Sequence, residues 1–449
     1  GPPVEYLPLS FGQEVYWSPE QGGADNVVNS TPVALRLEGP FDVEAMRRSL
    51  TEIIRRHESL RTTFPTRDGV PVQHIGAPYE VALPVDSLES FPESEREAEA
   101  LRRVEQEARR PFELAHGPLV RCFLFRLSET SHVLLVNMHH ALTDFVSLSV
   151  FMGELAVLYG CFREGRPSPL PELPIQYRDF TRWQREWMQG ETLERVRAYW
   201  ARRLEGRPED VSLPTDFPRP SHESLRSESL DFLLPPELSG ELRAFCRREG
   251  ITVFMLALAA FQLLLSRLSG QQDIRVGFAH AQRPRPELEG MIGMFAGYFV
   301  IRSELSGAST FREVLGLVRT ACLEAFEHQG LPHVELTKLL PGLCRIGFTF
   351  SSREGEQSAA VPGLDVRPLM MSRRVSLYDV KLSLSDGPEG LGGCFDYKAE
   401  LFAPETIQSL RDGFQSLLAQ ILEAPEQPVR SPVAEPSFHD VPSPQRSSR

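Results

Sequence analysis

The chain has 449 residues, of which 48 are Lys or Arg and 61 are Asp or Glu, so its formal net charge is −13. Hydrophobic residues make up 41% of the sequence, which suffices for a large core and excludes wholesale disorder. An acidic chain lacks the basic face that neutralises phosphates, and no uninterrupted run of about 18 apolar residues marks a membrane span. We therefore expect two or three globular domains, with no nucleic-acid or membrane partner.

Hydrophobic periodicity predicts a mixed α/β chain without short internal repeats. In the first part, strands are expected at 32–38 and 132–138, and helices after a capping Asp42, at 93–110 and at 145–163. The chain then turns proline-rich and aromatic around 164–190, which favours a crossover between two lobes. Beyond it, the pattern predicts helices at 191–205, 236–249, 252–268 and 404–423 and strands at 273–279, 298–304, 346–351, 376–385 and 392–399.

The cysteines are scattered, and they form neither a CxxC pair nor a zinc-ligand pattern with histidines. Unpaired cysteines in so long a chain are typical of a reducing compartment. The sequence therefore predicts a cytoplasmic protein without a bound metal. The six residues are Cys122, Cys161, Cys246, Cys322, Cys344 and Cys394.

Two adjacent histidines, His139 and His140, stand at the end of the second predicted strand, and Asp144 follows four residues later. Imidazole, with a pKa of ~6.5, suits proton transfer near neutral pH. Successive side chains of a strand point to opposite faces, so only one histidine can enter a shared cleft. Two simpler interpretations stay open: both histidines are ordinary polar residues, and Asp144 caps the helix that starts at Phe145.

The stretch from His139 to Asp144 resembles the HHxxxD core of the HHxxxDG motif in condensation domains of nonribosomal peptide synthetases. That motif is shared with the chloramphenicol acetyltransferase-like superfamily. Other elements of the family follow in the same order and cover residues 9 to about 335, with a weaker pattern to about 424. They are Leu9-Ser10-Phe11-Gly12-Gln13 with Tyr16-Trp17 (SxxQ), Arg56 to Phe64 (RHExLRTxF), Tyr177-Arg178-Asp179-Phe180 with Trp183 (YxDFxxW), Ile292-Gly293-Met294-Phe295 followed by Val300 and Arg302 (IGxFxNxxxxR) and His328 to Glu335 (HQDxPFE).

The resemblance implies an α/β fold of two chloramphenicol-acetyltransferase-like lobes, arranged as a V-shaped pseudo-dimer with a tunnel between them. Residues 1–180 would form the N-terminal lobe with the HHxxxD motif. Residues 181–424 would form the C-terminal lobe with its floor-loop and bridging segments. Residues 425–449 hold six prolines and no apolar periodicity, which predicts a linker that leads to a further domain.

The activity implied by the resemblance is amide formation between two thioesters. The amine of a carrier-bound aminoacyl acceptor attacks a carrier-bound acyl or peptidyl donor, and both arrive on the 4'-phosphopantetheine arms of carrier proteins. The expected partners are the upstream donor carrier, the downstream acceptor carrier and adjacent synthetase modules, whereas the domain itself is expected to be a monomer. No bound cofactor or metal is implied.

By family position, His140 is the catalytic residue, which accepts the proton of the amine or holds the amine and stabilises the tetrahedral intermediate. His139 and Asp144 are expected to be architectural. Asp144 would pair with an arginine across the lobes, for which Arg283 and Arg285 are candidates and Arg283 matches the family position better. The side chains expected to line or gate the tunnel are Phe145, Ser147, Tyr177 and Phe295, although Ser147 could simply satisfy a first-turn backbone donor.

The chain departs from the family motif at Phe145, where the motif has glycine. A benzyl group there could narrow or block the acceptor side of the tunnel. Three interpretations of Phe145 stay open. The ring rotates aside and the enzyme works normally, or the ring restricts the acceptor to a small or unusual one. In the third, the domain has lost condensation activity and serves to dock or recruit carriers. An ester-forming or CoA-dependent acyltransferase is a further alternative. Gly297 also differs, because the family often has asparagine there.

Overall fold

The computed structural model describes residues 6–17, 29–206, 209–340, 344–352, 361, 363–369 and 374–429. Within these ranges the α-helices are α1 Phe11–Tyr16, α2 Val43–Arg56, α3 Glu93–Arg109, α4 Phe145–Arg163, α5 Tyr177–Trp187, α6 Gly190–Arg203, α7 Pro236–Glu249, α8 Val253–Ser269, α9 Phe311–Glu327, α10 His333–Leu339 and α11 Pro404–Glu423. The strands are β1 Tyr6–Pro8, β2 Ser30–Glu38, β3 Thr62–Thr63, β4 Thr66–Arg67, β5 Val70–Ile75, β6 Val85–Ser87, β7 Val120–Ser128, β8 Ser131–His139, β9 Arg226–Leu233, β10 Asp273–His280, β11 Gly297–Glu304, β12 Ile346–Ser352, β13 Asp365–Pro368, β14 Arg374–Val375, β15 Val380–Gly387 and β16 Gly390–Tyr397.

A sheet in the order β13-β2-β8-β7-β6 forms the centre of the N-terminal half. Every residue of β8 is buried, which explains why its centre, Val133 to Val136, is an unbroken apolar run rather than an alternating one. The helix α2 begins where the Asp42 side chain accepts a hydrogen bond from the Ala45 N–H (2.9 Å), and it packs on α4. A small sheet of β1, β3, β4 and β5 lies beside this core.

The C-terminal half is built on a sheet in the order β11-β10-β12-β15-β16-β9-β14. The helix α8 is apolar nearly all round and is buried from Phe254 to Ser266, as expected of a helix in the core of a large lobe. By length and composition alone, α4 could span a membrane, and so could α7 and α8 together, although they meet at a bend of 103°. In the structure α4 buries Phe151, Leu155 and Leu158 in the N-terminal core.

A strand from the C-terminal half belongs to the N-terminal sheet. The strand β13 pairs antiparallel with β2, with Asp365 opposite Glu38, so a piece of the C-terminal half forms the edge of the N-terminal sheet. The helix α5 runs across the boundary predicted at residue 180. The division into lobes at 1–180 and 181–424 stays a prediction. The strand β13 belongs to the N-terminal sheet although it lies within 181–424.

The first residues of the predicted linker belong to the folded C-terminal half, so the linker cannot begin at residue 425. The Arg312 N–H donates to the Pro425 carbonyl (2.8 Å), and the Phe311 N–H donates to the Gln427 carbonyl (3.2 Å). The Val429 N–H in turn donates to the Ser309 carbonyl (3.0 Å). These contacts dock the segment 425–429 on the start of α9. The remaining part of the predicted linker, 430–449, lies outside the described residues.

The long periodic elements predicted from sequence are present, notably β2, β8, α4, α7, α8 and α11. The strand β7 was not predicted from sequence, although Val120, Cys122 and Leu124 alternate with less buried neighbours, and that period of two is typical of a strand. The helix α9 was not predicted either, although its Thr310–Glu313 capping box marks a helix start in sequence.

Candidate active site

His140 lies just past the end of β8, in a short 3-10 turn over 140–142 that turns the chain out of the sheet. Its Nδ1 is 3.0 Å from the Thr143 carbonyl oxygen. A carbonyl can only accept, so Nδ1 carries the hydrogen and Nε2 is the basic nitrogen of the neutral ring. Burial lowers the pKa of His140 below its usual 6.5. The turn therefore holds a neutral imidazole with one nitrogen available as a base.

The ring of Tyr16 is stacked on the ring of His140, with centroids 4.3 Å apart and planes inclined by 15°. Burial and the nearby charge of Asp144 raise the pKa of Tyr16 to about 12, so the phenol stays neutral. The stack adds a second restraint to the hydrogen bond with Thr143. Together they fix the imidazole in position and in tautomer.

A cavity of about 760 Å³ opens between the two halves of the chain and contains both of these rings. Its N-terminal wall comes from α1, the start of β2 and His140. Its C-terminal wall comes from the segments around β10, β11, α10 and β15. The lining residues used below are Tyr16, His140, His280, Gln282, Gly297, Gly330, Leu377 and Lys381.

Asp144 caps α4 and also binds the opposite half of the chain. Its Oδ1 accepts from the Ser147 N–H (2.8 Å) and from Arg283 Nη2 (3.1 Å). Its Oδ2 accepts from the backbone N–H groups of Phe295 (3.0 Å) and Ala296 (3.1 Å). The carboxylate is 2% exposed and satisfied on both oxygens, so it holds structure and has no free oxygen for proton transfer.

Of the two candidate arginines, Arg283 is the one that meets Asp144. Its Nη2 also donates to Ser147 Oγ (2.8 Å), Nη1 donates to the Met291 carbonyl (2.6 Å), and the guanidinium lies 4.2 Å from the centre of the Phe295 ring. Arg285 instead lies over Trp183, at 5.4 Å from the ring centre.

The backbone of segment 292–296 is held from several elements at once. Most of these contacts cross from the N-terminal half, and they use residues from the predicted family elements. His57 Nδ1 accepts from the Ile292 N–H (3.2 Å), Ser59 Oγ donates to the Ile292 carbonyl (2.6 Å), and Tyr177 Oη donates to the Met294 carbonyl (2.6 Å). These residues therefore have a structural role, because they hold in place the segment whose N–H groups also bind Asp144.

None of the four residues expected at the tunnel wall is among the described residues that line this cavity, and their place at a tunnel stays a prediction. Ser147, Tyr177 and Phe295 are at most 1% exposed, because they form the hydrogen-bonded and aromatic junction between the halves. Phe145 is 69% exposed, and it is not among the described residues that line the cavity with His140. Its ring extends into solvent at the first turn of α4.

His139 is buried behind the site. Its Nδ1 accepts a hydrogen bond from the Ala141 N–H (3.0 Å), which supports the turn that carries His140. Burial and the neighbouring His140 lower the pKa of His139 to about 4, so this ring is neutral as well. The structure thus separates the two histidines into one that lines the cavity and one that shapes the turn.

The roles of two groups at the site were not predicted from sequence. Tyr16 was recognised only as part of the opening family element, and nothing in that element predicts that its ring contacts His140. The Thr143 carbonyl is a backbone atom, and no residue type encodes it. Both reach His140 only because the chain turns sharply after β8.

The chain matches the family model for the condensation domain over residues 4–440. One of the proteins that make up the linear gramicidin synthase of Brevibacillus parabrevis is 39% identical over 438 residues, which are 95% of this chain and 6% of that protein. The X-domain from teicoplanin biosynthesis is similar in structure, with a TM-score of 0.81, 29% identity, and coverage of 95% of this chain and 97% of that one.

An X-domain from the same biosynthesis is also similar in its complex with OxyB, with a TM-score of 0.79. The chain spans only a small part of the gramicidin synthase, whereas it matches the X-domain over almost its whole length. These matches confirm the family and the mixed α/β fold that the ordered motifs predicted. The chain belongs to the condensation-domain family of nonribosomal peptide synthetases.

Proposed function

We propose that this chain joins a carrier-bound acyl or peptidyl thioester to the amine of a carrier-bound aminoacyl thioester. The observation that carries the proposal is the His140 ring, which is held by the Thr143 carbonyl and by Tyr16 at the wall of a cavity between the halves. A neutral imidazole with a basic Nε2 is the group that such a reaction needs.

In the proposed reaction the amine nitrogen attacks the thioester carbonyl and forms the C–N bond. Nε2 of His140 takes the proton that the nitrogen loses, and the C–S bond then breaks. The departing sulfur takes that proton, so the products are an amide and a free thiol, and His140 is again neutral. An α-amine has a pKa of ~7.7–8.0, so a base is useful at neutral pH.

The cavity would contribute by holding the two reacting groups together. A thioester is already activated, and positioning alone can supply several kcal/mol of the barrier, up to about 7–11 kcal/mol for well-oriented groups. The proposed partners are an upstream and a downstream carrier protein, which would deliver their substrates on phosphopantetheine arms. The proposed setting is a multidomain synthetase in the cytoplasm.

The test is a transfer assay with a donor carrier and an acceptor carrier that are loaded chemically, followed by intact mass. We expect His140→Ala to lower the transfer rate by about 10²–10⁴-fold, the usual contribution of a positioned acid–base group. His116→Ala is a matched control, because the His116 side chain is 81% exposed and away from the cavity lining. Equal rates for wild type and a folded His140→Ala protein would reject the role of His140.

A second candidate function is recruitment of another protein without condensation. It is supported by the similarity to the X-domain, for which a complex with OxyB has been solved. The intact pair of His140 and Asp144 favours catalysis. An absence of product with several carrier pairs, together with stable capture of a carrier or an enzyme, would favour recruitment. Replacing the amino acceptor by a hydroxy acceptor in the same assay separates ester from amide formation.

A further inference from the structure

His280, at the end of β10, is a buried polar side chain on the wall of the cavity. It is 8% exposed, and its ring lies 4.6 Å from the ring of Phe299. Within the described part of the chain, neither ring nitrogen has a hydrogen-bond partner. Neither nitrogen is among the fully buried polar atoms that lack a partner, so the polar edge of the ring is open to the cavity and available to a ligand.

Gln282, two residues further on, also lines the cavity, and its backbone is strained. Its φ is +44°, in the left-handed region that side chains other than Gly, Asn and Asp rarely adopt. The side-chain amide has no hydrogen-bond partner among the described residues. Strained backbone collects at functional sites, where the side chain it presents is needed.

Gly297 is the residue that lets these two side chains meet. It lies directly opposite His280 in the antiparallel pair of β10 and β11, so the side chain of His280 reaches over it. A Cβ added at Gly297 would lie 2.6 Å from His280 Nε2 and 2.7 Å from Gln282 Oε1. A Cβ at Gly330 would lie 3.2 Å from Gln282 Nε2. We call these four residues the polar recess.

The polar recess offers neutral hydrogen-bonding groups. Burial lowers the pKa of His280 to about 4, so its imidazole is uncharged at neutral pH and provides one donor and one acceptor. The amide of Gln282 provides both kinds as well. Lys381, a charged residue on the same cavity, pairs with Asp396 at 3.3 Å. A hydroxyl or an amide of a ligand can hydrogen-bond with His280 and Gln282. An ionised group of a ligand would find no counter-charge in these two neutral side chains.

We propose that the polar recess binds a neutral hydrogen-bonding group of the substrate, either a hydroxyl or a carboxamide. That group comes from the side chain of the bound residue or from an amide of the phosphopantetheine arm, and the experiment separates the two sources. This inference rests on the proposed function, according to which a pantetheine thioester enters this cavity. It adds a selectivity that the catalytic group does not supply.

The probes are pantetheine amides, which cannot react, of two isosteric pairs of residues: threonine with valine, and asparagine with leucine. Binding is measured by calorimetry, once with free and once with acetylated amines. We expect the polar member of at least one pair to bind about tenfold more tightly than its apolar partner, which corresponds to ~1.4 kcal/mol. Equal affinities within both pairs would mean that the recess does not bind the residue's side chain. The bound group is then an amide of the phosphopantetheine arm if variants of the recess weaken the binding of all four probes.

Three variants change the recess in different ways. His280→Phe keeps an aromatic ring against Phe299 and removes the nitrogens, Gln282→Gly removes the amide and suits the left-handed backbone, and Gly297→Ala displaces both polar atoms. Each should abolish the tenfold preference, or weaken all pantetheine probes tenfold if the arm is bound. Simple propyl amides of the same residues, which lack the arm, would then be unaffected. Leu377→Ala, which lines the same cavity without a polar atom, is the matched control.

Affinities that the three folded variants leave unchanged would overturn the proposal, as would the absence of measurable binding of every probe to the wild-type chain. Melting temperatures show whether each variant is folded. Binding requires no turnover, so a chain that fails the transfer assay can still show the selectivity of the recess. The two proposals can therefore fail independently.

Discussion

Asp144 and Arg283 join the two halves of the chain through an ion pair in which Oδ1 and Nη2 are 3.1 Å apart and neither side chain is more than 5% exposed. The same carboxylate caps α4 and accepts two N–H groups from segment 292–296. His140 is only four residues before Asp144. The position of the proposed base therefore depends on a contact with the C-terminal half.

Asp144→Ala should destabilise the fold rather than remove a proton-transfer step. It leaves the buried guanidinium of Arg283 without its counter-charge and three backbone N–H groups without their acceptor, and breaking a buried pair from one side costs ~3–5 kcal/mol. Asp144→Asn keeps a good helix cap and should cost less. Unfolding in urea measures both losses. An inactive Asp144→Ala protein with wild-type stability would contradict the architectural role.

The titration of His140 should have its midpoint below pH 6.5, because burial disfavours the charged ring and lowers its pKa. The base function would then persist above the lowered pKa and disappear as the pH falls through it. The midpoint is measured by NMR of labelled histidine, with His140→Ala to assign the signal. Tyr16→Ala should raise the midpoint towards 6.5, since water then reaches one face of the ring. The same midpoint in both proteins would show that Tyr16 does not shield His140.

Phe145→Gly should change the transfer rate by less than about twofold, because a ring that is 69% exposed and outside the cavity lining does not obstruct the site. Glycine in a helix costs up to ~1 kcal/mol relative to alanine, so Phe145→Ala controls for the stability of α4. The rates are measured in the carrier transfer assay. A large gain in rate for both variants would mean that the ring closes the acceptor side in solution.

A chain truncated after Glu423 should be less stable than a chain truncated after Val429. The segment 425–429 makes three backbone hydrogen bonds with the start of α9, each of which contributes about 0.5–1.5 kcal/mol. A loss of ~2 kcal/mol is therefore expected, as measured by denaturant unfolding. Equal stabilities of the two truncated chains would mean that the segment is not docked in solution.

Much of the site follows from contiguous sequence. The residues of β8, the two histidines and the start of α4 are neighbours in the chain, and their pattern reflects local structure that short-range interactions determine. The contacts that hold the 292–296 segment are different. Ser59 and Tyr177 bind it from positions more than a hundred residues away in the sequence, and no periodicity reports such a pairing.

Local patterns and ordered motifs were enough to identify the family, the alternating helices and strands of the core and the position of the proposed base. Three features became visible only in the folded chain: Phe145 faces solvent, Tyr16 stacks on His140, and His280 and Gln282 converge over Gly297. Each of these is a contact between distant segments or an exposure set by packing. The direction of a side chain is determined by the elements that surround it, and those are brought together only when the chain folds.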